Sequence, residues 1–401
     1  METEPGLLVQ TKENMNYSGL LNTYSRYPVE FASGSGAYLY DETGKEYIDF
    51  LCGIAVTGFG HNHPEIKKAV IKQVDSFWHV SNLFTSTPQQ NLAKKLVKQS
   101  GLDSVFFCNS GTEAVEAAIK FARKWGKGKN EIISTLGGFH GRTYGSLSAT
   151  GSYKFWEGFE PLVPGFKHVS YGDISAVESA ITSNTAAVIV ETIQGEGGVI
   201  VPPQNYIKEL RALCTAKNIL LIIDEIQTGI GRTGKFFSYQ YEEIVPDIVT
   251  IAKGIANGIP LGAAICSKEV ADEIKPGSHG STFGGNPIAI AAANKVVDLL
   301  DEEQLQSIAN LGKTLKDALH GLNLPQIKNV RGKGLMIGIE FVDGISSKDV
   351  AVKLLDKGFL VGTSGNSVLR ILPPFIITQT EIMKFLLAFR RVISDISGNH
   401  F

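Results

Sequence analysis

The sequence predicts an α/β protein, with a mainly parallel sheet covered by helices on both faces and then a smaller α+β unit. Three observations predict it. Short, continuously apolar runs such as AAVIVE (186–191) and ILLIID (219–224) alternate with stretches of helical period, and strands buried on both faces read as unbroken apolar runs. The 401 residues exceed one small core and suit two domains, or one large unit with an appendage. After about residue 287 the rhythm changes to long helices separated by isolated strand signals.

In chain order, GAYLYDETGKEYIDF (36–50) reads as a hairpin turning at Asp41-Glu42-Thr43-Gly44. Amphipathic helices follow at about 64–79 and 88–99, the first carrying Ile66, Ala69, Val70, Val74 and Phe77 at helical spacing. SVFFCN (104–109) is strand-like, TEAVEAAIKFARKW (112–125) helical and EIISTL (131–136) strand-like. Further strands are expected at 186–191, 219–224, 247–252 and 261–266, with a helix at 204–217. Helices at 287–300 and 303–321 lead to a strand at 332–342, a helix at 347–357, the run NSVLRILPP (366–374) and a terminal helix at 380–396.

Composition narrows the function classes. A hydrophobic share of 43% and a charged share of 19% are ordinary for a soluble globular protein. The net charge of −2 gives no positive field for nucleic acid or an anionic membrane. No run of about 20 apolar residues suggests a membrane span, and the polar N-terminus METEPGLLVQTKENMN lacks the apolar core of a secretory signal. Cys52, Cys108, Cys214 and Cys266 are scattered and read as reduced core thiols, which points to the cytoplasm. His61 and His63 in GHNHP lack a third ligand, so loop contacts are expected there and no metal site.

The stretch LLIIDEIQTGIGRTGK (220–235) admits two chemistries. Gly229-x4-Gly234-Lys235 matches the start of a phosphate-cradling P-loop, but such a loop needs Ser or Thr after the lysine and a helix opening there. Phe236 and Phe237 follow instead, and the acidic strand precedes the glycines, so the nucleotide-binding reading fails. Read otherwise, Asp224 is a buried carboxylate at the C-terminal end of a parallel strand, where α/β ligands sit. Lys253 ends another apolar run, and burying an ammonium is costly unless it is neutralised or bonded. A surface lysine is the plain alternative; together with Asp224, the pair suits pyridoxal phosphate, which needs a lysine for Schiff-base chemistry and a carboxylate on its ring nitrogen. Ser110, Gly111 and Thr112 open a strong helix and suit a phosphate, although a cap plus a turn glycine reads equally well. Phe139 in GGFHGRT is the candidate for stacking on a ring.

These motifs carry a resemblance. NSGTEAVEAAIK, FHGRTYGSLSATG, ETIQGEGGV, IIDEIQTGIGRTGKFF, AKGIANGIPLGA, STFGGNP and VLRILPP resemble, in order, the class III pyridoxal-phosphate aminotransferases, and within them the acetylornithine aminotransferases. The resemblance runs from about residue 17 to the C-terminus. It implies fold-type I architecture: a large domain with a mainly parallel seven-stranded sheet (51–290) and a small α+β domain from both chain ends (1–50 and 291–401). It implies a homodimer with shared active sites and pyridoxal 5′-phosphate as cofactor.

By resemblance, Lys253 bonds the cofactor and moves protons, Asp224 pairs with the pyridine nitrogen, Gln227 lies near the ring hydroxyl and Phe139 stacks on the ring. Ser110, Gly111 and Thr112 bind its phosphate, and Thr282 reaches the phosphate in the neighbouring subunit. Arg370 takes the α-carboxylate of glutamate or 2-oxoglutarate. Arg142 takes the distal carboxylate, or the α-carboxylate of the amine donor, and Glu196 neutralises Arg370 when no carboxylate sits there. A surface ion pair remains an alternative for Glu196. Ile54 stands where enzymes acting on free ornithine carry tyrosine, which favours an acylated donor. Thr57, Gly58 and Thr192 depart from the common pattern of Asn, Ala and Pro.

The expected reaction moves the terminal amine of N-acetylornithine to 2-oxoglutarate, a step of arginine biosynthesis. Ornithine, succinylornithine, succinyl-diaminopimelate and 4-aminobutyrate are alternative donors, and an aminomutase, racemase or decarboxylase is the alternative within the fold.

Overall fold

The apolar runs become one seven-stranded sheet in the order Ser104–Cys108, Gly262–Cys266, Ile248–Ile251, Leu220–Asp224, Thr185–Glu191, Glu131–Thr135, Phe166–Val169. The computed structural model describes residues 19–396. The N-terminal stretch read as lacking a secretory signal lies outside them. Thr185–Glu191 and Leu220–Asp224 are buried at every position, and successive side chains of a strand point to opposite faces. Val188, Val190, Leu221 and Ile223 accordingly join one core with Leu92, Leu96, Leu210 and Ile290. Ala187, Ile189, Leu220 and Ile222 join another with Val115, Ala118, Ile119 and Ala122 of the helix Gly111–Trp125.

The sheet is parallel from Ile248–Ile251 through Phe166–Val169, while Gly262–Cys266 runs antiparallel to both its neighbours. A second, antiparallel sheet has the order Ile327–Lys333, Met336–Phe341, Val368–Ile371, Gly362–Ser364. The third is built from Phe31–Ser35, Tyr38–Asp41 and Glu46–Asp49, joined in parallel by Phe359–Leu360. Residues from both ends of the chain thus share one sheet.

Several expectations shift. The helix expected over 64–79 is Pro64–Val74; its expected continuation carries Phe77 and Trp78, which are exposed and have no core to pack against. The expected strand 332–342 is a hairpin, Ile327–Lys333 with Met336–Phe341. Strands Phe31–Ser35 and Phe166–Val169 give no sequence signal. Among the described residues, no helix is long and apolar enough to cross a membrane. The four cysteines are free and buried.

Candidate active site

A cavity of about 450 Å³ opens at the C-terminal ends of the parallel strands, lined among others by Ser110, Gly111, Thr112, Phe139, Arg142, Asp224, Gln227 and Lys253. Ligands of open α/β sheets bind at such strand ends. Asp224 ends its strand beside Glu191, the residue in register with it on the adjacent strand. Its Oδ1 accepts hydrogen bonds from the Thr250 hydroxyl at 3.0 Å and the Ile226 N–H at 3.1 Å. Its Oδ2 lies 2.8 Å from Nδ1 of the buried His140. Burial alone would push the His140 imidazole down; its hydrogen bond to Asp224 and the charges of Asp224 and Glu191 outweigh that and raise it. The histidine thereby supports Asp224, and its other ring nitrogen has no partner among the described residues.

Glu191 accepts from the backbone N–H groups of Phe139 and Gly195, at 3.0 and 3.1 Å. Burial, countered by His140 and reinforced by Asp224, pushes its carboxyl up to about 7. Lys253 begins a single 3₁₀ turn after the strand Ile248–Ile251, with φ at +47°. Burial lowers its ammonium below the ordinary lysine value, opposed most by Glu196, with Glu191 and Asp224 adding to that opposition. Desolvation of this kind yields a neutral, nucleophilic amine nearer neutral pH.

The opposite end of the cavity is the start of helix Gly111–Trp125. Ser110 caps it, accepting from the Glu113 N–H. The Thr112 hydroxyl is 2.8 Å from that of Thr143 and 2.6 Å from that of Ser146. Glu116 anchors this triad from below, accepting from Thr143 Oγ1 at 2.5 Å and Gly145 N at 2.9 Å. A Cβ at Gly141 would meet Thr112 Oγ1 at 2.4 Å, so only glycine lets the backbone pass there. Helix dipole, free N–H groups and hydroxyls together suit a phosphate.

Towards the substrate end, Arg370 is only 3% exposed, on strand Val368–Ile371. Its Nη1 donates to Glu196 Oε1 at 2.5 Å and to Gln227 Oε1 at 3.4 Å. Burial would raise the Glu196 carboxyl, but the Arg370 guanidinium holds it below the ordinary value. Glu196 is the more exposed partner, at 28% against 3%. Arg142 is exposed, its guanidinium carbon 4.2 Å from the Phe155 ring centroid and 5.6 Å from that of Phe139.

Four predicted residues lie outside the cavity lining: Arg370 and Glu196, which reach it through the Arg370 bond to Gln227, and Ile54 and Thr282. Ile54 is 37% exposed, in a turn whose φ values run 52°, 61°, 67° and 65° over Cys52, Gly53, Ile54 and Ala55. That is left-handed backbone, costing about 1–2 kcal/mol per non-glycine residue. Asp49 Oδ1 holds the turn by accepting from Leu51 N at 2.9 Å and Cys52 N at 2.7 Å. Thr282 is exposed on the loop before Gly284, away from this chain's own cavity. His61 pairs with Asp49 at 2.9 Å, and His63 lies edge-on to Phe59.

The glycine loop after Asp224 serves packing. Glu225 points away from the cavity side chain Asp224 and accepts from Thr228 Oγ1 at 2.7 Å and Tyr239 N at 2.9 Å. A Cβ at Gly231 would meet Leu300 at 2.7 Å, and one at Gly234 would meet Ala309 at 2.7 Å. Lys235 is exposed. Gly58 has a comparable cause, since a Cβ there would strike the Phe375 ring at 2.6 Å.

Sequence reasoning did not single out His140 as the partner of Asp224, nor Glu191. A signal existed for Glu191, because it ends a fully apolar strand as Asp224 does. None existed for the Thr112–Thr143–Ser146 triad, whose members are 31 and 34 residues apart.

The residues fit a phosphorylated pyridine aldehyde: a desolvated lysine, a pinned carboxylate, an aromatic wall and a helix start line one cavity. The model for class-III aminotransferases matches residues 22–393. Acetylornithine aminotransferase of Aquifex aeolicus is 48% identical over 379 residues, covering 93% of this chain and 99% of the relative. That of Methanopyrus kandleri is 49% identical, covering 91% and 94%. Among solved structures, ornithine aminotransferase of Toxoplasma gondii superposes with a TM-score of 0.92 at 34% identity, covering 96% and 94%; a second structure of it reveals partial occupancy of PLP at the active site. N-acetylornithine aminotransferase of Stenotrophomonas maltophilia gives 0.82 at 34% identity, covering 94% and 98%. With the match spanning nearly the whole described chain, the chain belongs to the class-III aminotransferases.

Proposed function

We propose that the protein transfers the terminal amine of N-acetylornithine to 2-oxoglutarate, giving N-acetylglutamate 5-semialdehyde and glutamate, with pyridoxal 5′-phosphate as cofactor. Bound in the cavity, that cofactor supplies an electron-withdrawing ring and a carbonyl that carries the amino group between substrates. Lys253 Nζ is the group that would hold it and then accept and return the substrate proton, a role its lowered ammonium suits. Asp224, fixed by Thr250, Ile226 and His140, presents negative charge to the ring nitrogen. Ser110, Gly111 and Thr112 would hold the phosphate, Phe139 would cover the ring and Gln227 would hydrogen-bond its hydroxyl.

The observation that carries the dual specificity is the Arg370–Glu196 pair. Paired, it is neutral and admits a donor with no carboxylate at that point. A dicarboxylate displaces the more exposed Glu196 and takes the guanidinium fork. Arg142, charged and without an ion pair among the described residues, receives the second carboxylate. Ile54 favours an acylated donor, and the relatives' named substrate supports the same choice.

The reading includes a homodimer, with domains divided at about residues 50 and 290. In its support, Trp78, Leu83, Phe84 and Phe283 are exposed at 66%, 89%, 66% and 62%. Asn82 and Trp78 hydrogen-bond to the 281–286 loop that carries Thr282. Exposed apolar side chains grouped in this way suit an interface, and the exposed Thr282 would there be available to a partner's phosphate. The free, buried cysteines suit a reducing cytoplasm.

The test is an absorbance spectrum of the cofactor-loaded protein. N-acetylornithine should bleach the visible band, and 2-oxoglutarate should restore it with release of glutamate. A band that ignores N-acetylornithine but responds to succinylornithine, ornithine or 4-aminobutyrate would move the donor; no response to any amine would end the aminotransferase reading of the site.

A further inference from the structure

Arg232, in the glycine loop, is 1% exposed, yet among the described residues no carboxylate lies within ion-pair distance of it. Its Nη1 donates to the carbonyls of Leu335 at 3.1 Å and Pro373 at 2.5 Å, while Nε and Nη2 find no hydrogen-bond partner among the described residues. The guanidinium lies over the Phe375 ring, 4.7 Å from its centroid, and the Arg232 carbonyl accepts from Leu335 N at 3.0 Å. A buried cation offset only by the nearby Cys52 thiol and the more distant Asp49 carboxylate is expensive to keep. It needs a reason beyond filling space, which a methionine would do without the charge.

The reason lies in what its contacts join. Pro373 and Phe375 follow directly on the strand that bears Arg370. That ribbon is laced to the segment bearing Ile54, because Leu372 N donates to Phe50 O at 2.7 Å and Phe375 N to Gly58 O at 2.6 Å. Ala55, Ile193, Val199, Met336 and Leu372 close a small apolar cluster between the two. Ile193 and Val199 also flank the Glu196 loop. Cys52, at the head of the left-handed turn, is fully buried, and its thiol is near enough to Arg232 for each to act on the other. One flat, forked cation therefore touches the Arg370 ribbon from below while bordering the Ile54 turn.

We propose that Arg232 is a positioning residue for substrate selection: it holds the Ile54 turn and the Arg370 strand in one register, so that both act on the same substrate. It touches neither substrate nor cofactor. A left-handed turn persists only where its surroundings over-determine it, and a guanidinium fixes direction in a way an ammonium does not.

The inference rests on Arg370 as the carboxylate fork, so Arg370→Gln is measured beside it. The test variant is Arg232→Lys, assayed as holoenzyme in the two half-reactions separately. The KM for 2-oxoglutarate should rise about five- to tenfold and the preference for N-acetylornithine over free ornithine should fall about fivefold, with kcat and the cofactor spectrum within about twofold. A uniform fall in kcat with loss of the cofactor band, or no change in KM and preference, would overturn it. If Arg232→Lys fails to fold, Phe375→Leu keeps the carbonyl bonds and removes the ring; the same changes at about two- to threefold support the proposal, and unchanged KM and preference refute it. If Arg370→Gln itself leaves the 2-oxoglutarate KM unaltered, the carboxylate assignment fails instead.

Discussion

Two loops of this molecule use the same vocabulary, small residues and glycines after a strand of the large sheet, for opposite ends. Asn109–Thr112 follows Ser104–Cys108 and opens a helix of 15 residues, leaving hydroxyls and N–H groups to face a cavity. Gly229–Lys235 follows Leu220–Asp224 and opens no α-helix; Gly231 and Gly234 are there because Leu300 and Ala309 come too close for a side chain. The adjacent carboxylates repeat the contrast. Asp224 serves the cavity, and Glu225, on the other face of the strand end, ties down the packed loop. The lesson is that a glycine-rich motif is interpreted by what it faces, and the residue after it decides which.

The largest test of that contrast is between two lysines. Lys253→Ala should lower turnover about 10⁴-fold or more, since it removes both the nucleophile and the proton carrier. Lys235→Ala should leave the steady-state rate within about twofold. Comparable losses in both would erase the distinction.

A second pair separates binding from stability. Thr112→Val deletes the hydroxyl that links Thr143 and Ser146 and should weaken cofactor affinity about tenfold, read by equilibrium titration. Gly234→Ala places a Cβ 2.7 Å from Ala309 at a φ of +93°. It should cost about 1–3 kcal/mol in denaturant unfolding while cofactor affinity stays within about threefold. Cofactor loss in the second variant would mean that the packed loop carries binding after all.

The last test is in pH. Burial pushes the Glu225 carboxyl from 4.5 up to about 7, against the hydrogen bonds from Thr228, Ser238 and Tyr239. A carboxyl raised in the fold favours the folded state while protonated. Its stabilisation is complete below pH 4.5 and is lost as pH rises to about 7, with a slope of about 1.4 kcal/mol per unit at most. Glu225→Gln should flatten that part of the stability profile, measured by urea unfolding at several pH values. An unchanged slope would assign the titration to Glu191, the other carboxyl raised to about 7.

Much of this was legible in the residues, for physical reasons that also explain the gaps. Central strands announced themselves because burial on both faces demands unbroken apolar runs. Phe31–Ser35, Phe166–Val169 and Ile327–Lys333 did not, because each lies at a sheet edge with one flank unpaired and reads as polar. The antiparallel insertion of Gly262–Cys266 was invisible, since an all-apolar strand carries no mark of its direction. Lys253 and Asp224 stood out as charges at the ends of apolar strands. His140 did not, because its pairing with Asp224 spans 84 residues. The left-handed turn at Cys52–Ala55 has no periodic signature at all.

The most direct test of the central claim is to reduce the cofactor-loaded protein with borohydride and map the modified peptide. A single label on Lys253 is predicted. A label on Lys235, or labels spread over exposed lysines with Lys253 untouched, would contradict the account and return the glycine loop after Asp224 to contention as the cofactor site.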